Sequence, residues 1–237
     1  MDLLQKKTPR IWILDFEKER RNVDVHLTNL NNEEIDKANK FIFEKDRIAS
    51  IVSRSALRKL LAFYSNSTPQ QIQFRFSKFG KPELVDSKYD IHFNVSHSHK
   101  IGIVGFCLDV PIGVDIEFIK FTPDLDSVAT KFFSAPEIEN YLNLSEKDKV
   151  HGFFNCWTRK ESFIKALGEG LSFPLDEFEV SLEPDKRAEL LNTFFNPNEK
   201  EKWSLESIDT IDDYAIAFAI RQKIESFKVF QFEDIND

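Results

Sequence analysis

The sequence predicts an α+β protein built from two similar lobes, and three observations carry that expectation. Helical and strand patterns come in separate runs: helices then strands, and helices then strands again. The strands are divided by short turn signals, which predicts in each lobe an antiparallel meander of three or more strands with helices packed on it. Each half also opens on a basic, Phe-rich stretch, Lys40-Phe41-Ile42-Phe43 and Lys131-Phe132-Phe133-Ser134, before a longer helix in which Arg58-Lys59 answers Arg159-Lys160. This pseudo-duplication assigns residues 1–109 to an N-terminal lobe and 110–237 to a C-terminal lobe, with the active site expected in the cleft between them.

Taken in order, Ile11 to Phe16 reads as a buried strand. Asn31 followed by Glu34 is a capping-box pattern and starts a helical region expected to run, with a break, from Glu33 to Tyr64. Gln71 to Phe76 alternates as a strand, and Gly80 and Pro82 punctuate the turn after it. Ile91–Ser96, Ile101–Cys107 and Ile112–Glu117 follow as strands with short connections, the expected first meander. The second half begins with a helical region from Leu125 to Leu142 and a polar insert, Asn143 to Lys149. Trp157 to Leu167 is the next helix, with Gly168 as its stop. Strands are expected at Phe178–Leu182, Trp203–Ile208, Tyr214–Ile220 and Phe227–Phe232.

Bulk properties narrow the function classes. The chain has 237 residues, 30% of them charged, and a net charge of −8, which argues for a globular protein and against a general nucleic-acid binder. No apolar run is long enough to span a membrane, and the first residues, Met1-Asp2-Leu3 onward, lack the order of a signal peptide. Cys107 and Cys156 stand alone, so neither a disulfide framework nor a zinc knuckle is indicated, and a cytoplasmic setting is expected.

The chemistry-bearing residues recur in three places. Asp115 and Glu117 are two apart on a strand and so share a face, while Val114 and Ile116 point into the core. Paired carboxylates on a rigid strand suit Mg²⁺ together with substrate phosphate. Glu161 and Lys165 are an i,i+4 pair on a helix, with Lys160 next to Glu161. Ser96-His97 ends a strand, where donors can meet a phosphate; His92, His97 and His99 are spaced wrongly to aim at one zinc ion. No G-x-S-x-G, Walker A, G-x-G-x-x-G or H-E-x-x-H is present. Together these features describe Mg²⁺-assisted handling of a pyrophosphate or phosphoester, with no side chain standing out as an internal nucleophile.

Gly113-Val114-Asp115-Ile116-Glu117 and Trp157-Thr158-Arg159-Lys160-Glu161-Ser162-Phe163-Ile164-Lys165 resemble the paired signature of the 4′-phosphopantetheinyl transferases. Phe79-Gly80-Lys81-Pro82, Phe93 to Ser98, Phe132-Phe133-Ser134 and Gly168 to Asp176 also fit, and the match, over roughly residues 10 to 220, is to the surfactin-synthetase type with its two similar α+β lobes. The resemblance implies transfer of the phosphopantetheine arm of coenzyme A to a serine of an apo acyl or peptidyl carrier protein, with 3′,5′-ADP leaving. The carrier then supplies the missing nucleophile. It implies that Asp115, Glu117 and Glu161 hold Mg²⁺, that Glu161 accepts the serine proton, and that Lys165 and Lys160 hold the pyrophosphate. Ser96 and His97 would contact the nucleotide phosphates, and Lys81, Lys37 and Ser50 would add coenzyme A contacts. Two departures stand out: Glu34 and Ala49 occupy positions where relatives carry basic residues. Carrier recognition is expected between the two signatures, around Phe121 to Leu144, with Phe132 and Phe133 as candidates and Lys120 and Lys131 as steering charges. A monomer is expected, free of nucleic acid and membrane; the alternative is a non-catalytic coenzyme A or carrier-binding module of the same fold. The geometric expectation is that Glu161 lies within one cation's reach of Asp115, with Lys165 facing the same cleft and Trp157 buried behind it.

Overall fold

The computed structural model describes residues 4–78, 80–85, 87–168 and 170–236; Phe79 and Glu169 of the motifs above, and Met1 to Leu3, lie outside them. The chain runs β1 (Arg10–Asp15), α1 (Phe16–Glu19), α2 (Val23–Leu27), α3 (Asn32–Ala38), α4 (Glu44–Ser65), β2 (Phe74–Phe76), β3 (Pro82–Leu84), β4 (Ile91–Ser98), β5 (Ile101–Leu108) and β6 (Ile112–Phe118). It continues through α5 (Leu125–Phe132), α6 (Ala135–Leu142), α7 (Glu146–Leu167), β7 (Phe178–Val180), β8 (Leu190–Thr193), β9 (Ser204–Ser207), β10 (Tyr214–Ile220) and β11 (Lys228–Gln231). These form two compact units, Met1–Asp109 with Ser226–Asp237, and Val110–Glu225. The last twelve or so residues, expected in the second lobe, therefore belong to the first unit.

The first unit is a four-stranded sheet in the order β11-β1-β5-β4 with α4 against it. Ile11, Trp12 and Leu14 are fully buried because β1 is an inner strand, flanked by parallel β11 and antiparallel β5. Trp12 Nε1 donates to Tyr64 Oη at 2.9 Å, which ties the sheet to α4. Trp12, Leu14, Val52, Leu57, Leu61, Phe93 and Phe106 share one core cluster. The capping box reads as expected: Asn31 accepts from the Glu34 backbone, and Glu34 accepts from the Asn31 N–H. Left-handed Asn66 closes α4, its N–H returning to the Ala62 carbonyl.

The second unit is a three-stranded sheet, β6-β10-β9, with α7 packed on β6 and β10, and a β7-β8 hairpin. Gly113 on β6 decides how close the helix comes. A Cβ there would lie 2.0 Å from the Ser162 carbonyl oxygen and 2.4 Å from the Ala166 nitrogen, so only glycine lets the α7 backbone sit on the strand.

Several expectations are corrected. The meander of β4, β5 and β6 does not form, since β4 and β5 pair in one sheet while β6 pairs with β10, about a hundred residues on. Residues 69–71 form a 3₁₀ turn, shortening the strand expected from Gln71. The region 125–142 is two helices, broken where extended Phe133 precedes a Ser134–Glu137 capping box with proline in the first turn. The polar insert is largely the start of α7, which begins eleven residues before Trp157 at Glu146, after Ser145. Strand β8 was not anticipated.

The two units each contain the same local device. Helices α4 and α7 both have 22 residues and both begin Glu-Lys-Asp. Arg58 and Lys160 stand at equal distances from those first residues, and each is buried. Arg58 donates to Glu34 at 2.8 Å and to the carbonyls of Pro69 and Ile72 at 2.7 and 2.9 Å. Lys160 donates to the carbonyls of Leu175 and Phe178, both at 2.7 Å, and pairs with Glu137 at 2.7 Å. Glu34 and Glu137 are in turn the third helical residues of their capping boxes.

Candidate active site

Strand β6 and helix α7 build the first part of the site. Asp115, only 3% exposed, lies two residues past Gly113 on the face of β6 that meets α7. Close packing at Gly113 brings Lys165 over the strand, and its Nζ reaches Asp115 Oδ1 at 2.5 Å and the Val114 carbonyl at 3.3 Å. Glu161, one turn earlier on α7, is half-buried. Its pKa is pushed up to about 7, first by loss of solvent and then by the negative charge of Asp115, with Glu117 adding a smaller push and Lys165 opposing. The expected trio therefore shares one electrostatic neighbourhood.

One observation bears on the metal reading of this trio, and the expectation for Trp157 is corrected. Among the described residues no group of three or more His, Cys, Asp or Glu side chains is gathered as a ready ligand set for a metal ion. The nearest partner of Asp115 is the Lys165 ammonium, because carboxylates at short range repel one another and an ammonium relieves that repulsion. The donor set still fits a hard cation: three carboxylates in mutual repulsion face a single ammonium, and all donors are oxygen. Trp157 is not buried behind the helix. It is half-exposed, stacks on Phe153, meets Phe132 edge-on, and lines a cavity of about 340 Å³ together with Glu161, Lys131, Phe132 and Phe173.

Lys160 does not face the site. Its side chain and that of Glu137 are both 0% exposed, and its ammonium is held by Glu137 and two carbonyls, so the expected phosphate contact is withdrawn. Helical arithmetic placed it beside Glu161; the loop carbonyls that cover it come from later in the chain. Phe133 is likewise a core residue, packed with Tyr141 and Phe153, whereas Phe132 reaches the cavity wall.

The first unit holds a second and larger cavity of about 850 Å³. Lys37, Ser50, Ser96 and His97, four expected coenzyme contacts drawn from α3, α4 and β4, all line it. Lys81 sits in the turn before β3, its N–H donating to Ser77 Oγ at 3.1 Å; it is Pro82 that forms the wall. Arg54, one of the basic run Lys37 to Lys59 that marks this region in the sequence, also lines the cavity, as do Ser53, Phe74 and Phe76, which were not singled out from the sequence. The α4 spacing Ser50, Ser53, Arg54, Leu57 was the available signal, being one helical stripe.

With both sites described, comparison with known proteins is informative. The profile of the 4′-phosphopantetheinyl transferase superfamily matches residues 111–219, and that of the 4′-phosphopantetheinyl transferase N-terminal region matches residues 16–105. The chain is 30% identical over 212 residues to the 4′-phosphopantetheinyl transferase HetI of Nostoc sp., covering 89% of this chain and 86% of that protein. It is 30% identical to a putative 4′-phosphopantetheinyl transferase of Synechocystis sp., covering 86% and 81%. It is 34% identical over 156 residues to the 4′-phosphopantetheinyl transferase Sfp of Bacillus subtilis, covering 66% and 68%. The chain belongs to the 4′-phosphopantetheinyl transferase family. Among the described residues, no helix is long and apolar enough to cross a membrane.

Proposed function

We propose that this enzyme transfers the 4′-phosphopantetheine arm of coenzyme A to a serine hydroxyl of an apo acyl or peptidyl carrier protein and releases 3′,5′-ADP. The observation that carries the reading is the Asp115–Lys165 contact beside Glu161, which puts an acceptor of protons and a cation at one place.

In this reading the serine oxygen forms a bond to the phosphorus that bears the pantetheine arm, and the bond from that phosphorus to the bridging oxygen breaks. The serine proton goes to a Glu161 carboxylate oxygen, directly or through a water. Lys165 supports the charge that collects on the departing 3′,5′-ADP. Asp115, Glu117 and Glu161 are the residues that would hold Mg²⁺, which when bound neutralises the diphosphate and orients it. Lys37, Ser50, Ser96 and His97 would receive the nucleotide half in the 850 Å³ cavity. Phe132, Trp157 and Lys131 at the smaller cavity, with exposed Phe121, offer the carrier protein an apolar and basic surface. The repeated buried cation, Arg58 with Glu34 and Lys160 with Glu137, supports descent of the two lobes from one duplicated unit.

The test is to incubate the protein with coenzyme A, Mg²⁺ and an apo carrier protein and to weigh the carrier. A gain equal to the phosphopantetheine arm, abolished when Mg²⁺ is omitted, is expected. Folded protein that modifies none of several apo carriers overturns the reading.

A further inference from the structure

We propose that Phe194 and Phe195, at the turn after β8, are an apolar anchor for the apo carrier protein whose serine reacts at Glu161. The proposal rests on the functional reading above and deepens it, and every residue it uses lies in the unit Val110–Glu225. The two phenylalanines are adjacent, 47% and 40% exposed, and flanked by the exposed Asn192, Asn196 and Asn198. Single apolar side chains on a surface are ordinary, but adjoining ones with a polar rim mark an interaction site. The turn also holds them out firmly. The Phe194 N–H donates to the Glu177 carbonyl at 2.9 Å, which extends the β7–β8 ladder past the strand ends. The Asn196 carbonyl accepts from the buried Thr193 hydroxyl at 2.7 Å and from the Glu199 N–H at 2.9 Å. Glu199 is fixed in turn by Arg221 at 2.9 Å and Lys202 at 2.7 Å. Rings on a braced turn are ordered before a partner arrives, which lowers the entropic cost of binding one.

What covers these rings follows from their connection to Glu161. Phe195 meets Phe173 edge-on, with ring centroids 5.2 Å apart. Phe173 lines the cavity of about 340 Å³ together with Glu161, Phe132 and Trp157. The apolar surface is therefore continuous from the wall of that cavity to the turn. In the reaction proposed above, the serine proton passes to Glu161. A serine side chain is short, so the carrier's backbone must come up to this cavity. A stable protein partner covers about 800 Å² of the surface it binds, a footprint much wider than the cavity itself. Rings one aromatic contact away from the cavity wall fall within that footprint, and phenylalanine is a residue type enriched at such contacts. The matching face of the carrier is expected to carry apolar side chains around its serine.

The experiment compares wild type with two double variants, Phe194→Ser with Phe195→Ser, and Phe194→Leu with Phe195→Leu. Transfer is measured with an apo acyl carrier protein as the varied substrate, and coenzyme A binding by titration calorimetry. Losing two aromatic anchors should lower kcat/KM for the carrier about tenfold or more in the serine variant, chiefly through KM. Affinity for coenzyme A should change less than about twofold, and the leucine variant should recover most of the loss because it keeps apolar area. Wild-type kcat/KM of the serine variant with several carriers, or equal weakening toward carrier and coenzyme A, overturns the proposal. Both side chains are exposed, so melting curves should match; should the double serine variant not fold, Phe194→Ser alone decides by the same criterion. Light scattering and co-sedimentation with phosphatidylglycerol vesicles test other occupants. A wild-type dimer, or vesicle binding, that the serine variant loses would assign the patch to a second copy or to lipid and overturn the carrier anchor. A wild-type protein that modifies no carrier overturns the functional reading instead, and calorimetric titration of apo carrier into wild type and serine variant still decides the role of the two rings.

Discussion

Asp115 has a neighbour on each side of its chemistry: Lys165 at 2.5 Å and, across α7, the Glu161 carboxylate it disfavours. Removing its charge should do two things at once. Lys165 loses the partner that holds it over β6, and the carboxylate set loses a member. Asp115→Asn and Glu161→Gln are each expected to lower kcat about 10²-fold or more, the scale for disturbing a metal-supporting group. Their melting temperatures should stay near that of the wild type, because both are near-isosteric. Turnover like that of the wild type in either variant, with saturating Mg²⁺, would refute the assignment. Lys160 belongs to the other category despite its sequence position. Lys160→Met leaves Glu137 buried without its cation, and removing one partner of a buried pair costs about 3–5 kcal/mol. The expected readout is a fall in melting temperature of roughly 6–20 °C, at about 2–4 °C per kcal/mol for a chain of this size. A variant that melts like the wild type but binds coenzyme A poorly would return Lys160 to the site.

At the level of elements, the contact between β6 and α7 is the part on which the site depends. Gly113→Ala places a methyl group against backbone atoms, which cannot rotate aside, so strand and helix must separate. Overpacking of this sort costs about 1–3 kcal/mol. The Lys165–Asp115 contact should open with it, so that activity falls more than stability does. A variant with full activity would show that α7 can shift without consequence. What the sequence could reveal follows the same division between local and distant contacts. The boxes at Asn31–Glu34 and Ser134–Glu137 and the strand Tyr214–Ile220 depend on neighbours in the chain, and their patterns are legible. The box at Ser134 even marks the break that a single helix over 125–142 overlooks. The pairing of β6 with β10, and the carbonyls of Leu175 and Phe178 closing over Lys160, are brought from far along the chain, and no local spacing encodes them. The Asp115, Glu161 and Lys165 grouping was legible through the paired signature of the resemblance; the alternating strand and the i,i+4 helix orient only their own residues.

For the whole molecule, the buried titratable groups make stability depend on pH, and His26 is one source of that dependence on the acid side. His26 is buried between Ser55 Oγ and Glu19 Oε2, each at 2.8 Å, and its pKa lies below the ordinary 6.5, chiefly because burial penalises the charged ring. Glu19 opposes that shift and Lys59 adds slightly to it. As pH falls, the unfolded chain takes up this proton first, so the stabilisation is complete above pH 6.5 and is lost progressively below it. Glu199, held at about 2 by Arg221 and Lys202 against an ordinary 4.5, acts in the same sense at lower pH, its contribution declining from 4.5 toward 2. On the alkaline side, burial raises the Cys107 thiol from 9.0 to about 12, so its neutral form favours the folded state below pH 9 and that advantage fades as pH rises toward 12. Glu161, raised from 4.5 to about 7, acts in the opposite sense, its neutral form favouring the folded state below 4.5 and that advantage fading as pH rises toward 7, so the His26 contribution is read as the difference between wild type and a His26 variant. His26→Gln keeps a neutral polar group in the same place, so the melting temperature of the wild type relative to this variant should fall as pH drops below 6.5, while the decline below 4.5 stays in both. An acid limb of the same slope in that variant would move the cause away from His26.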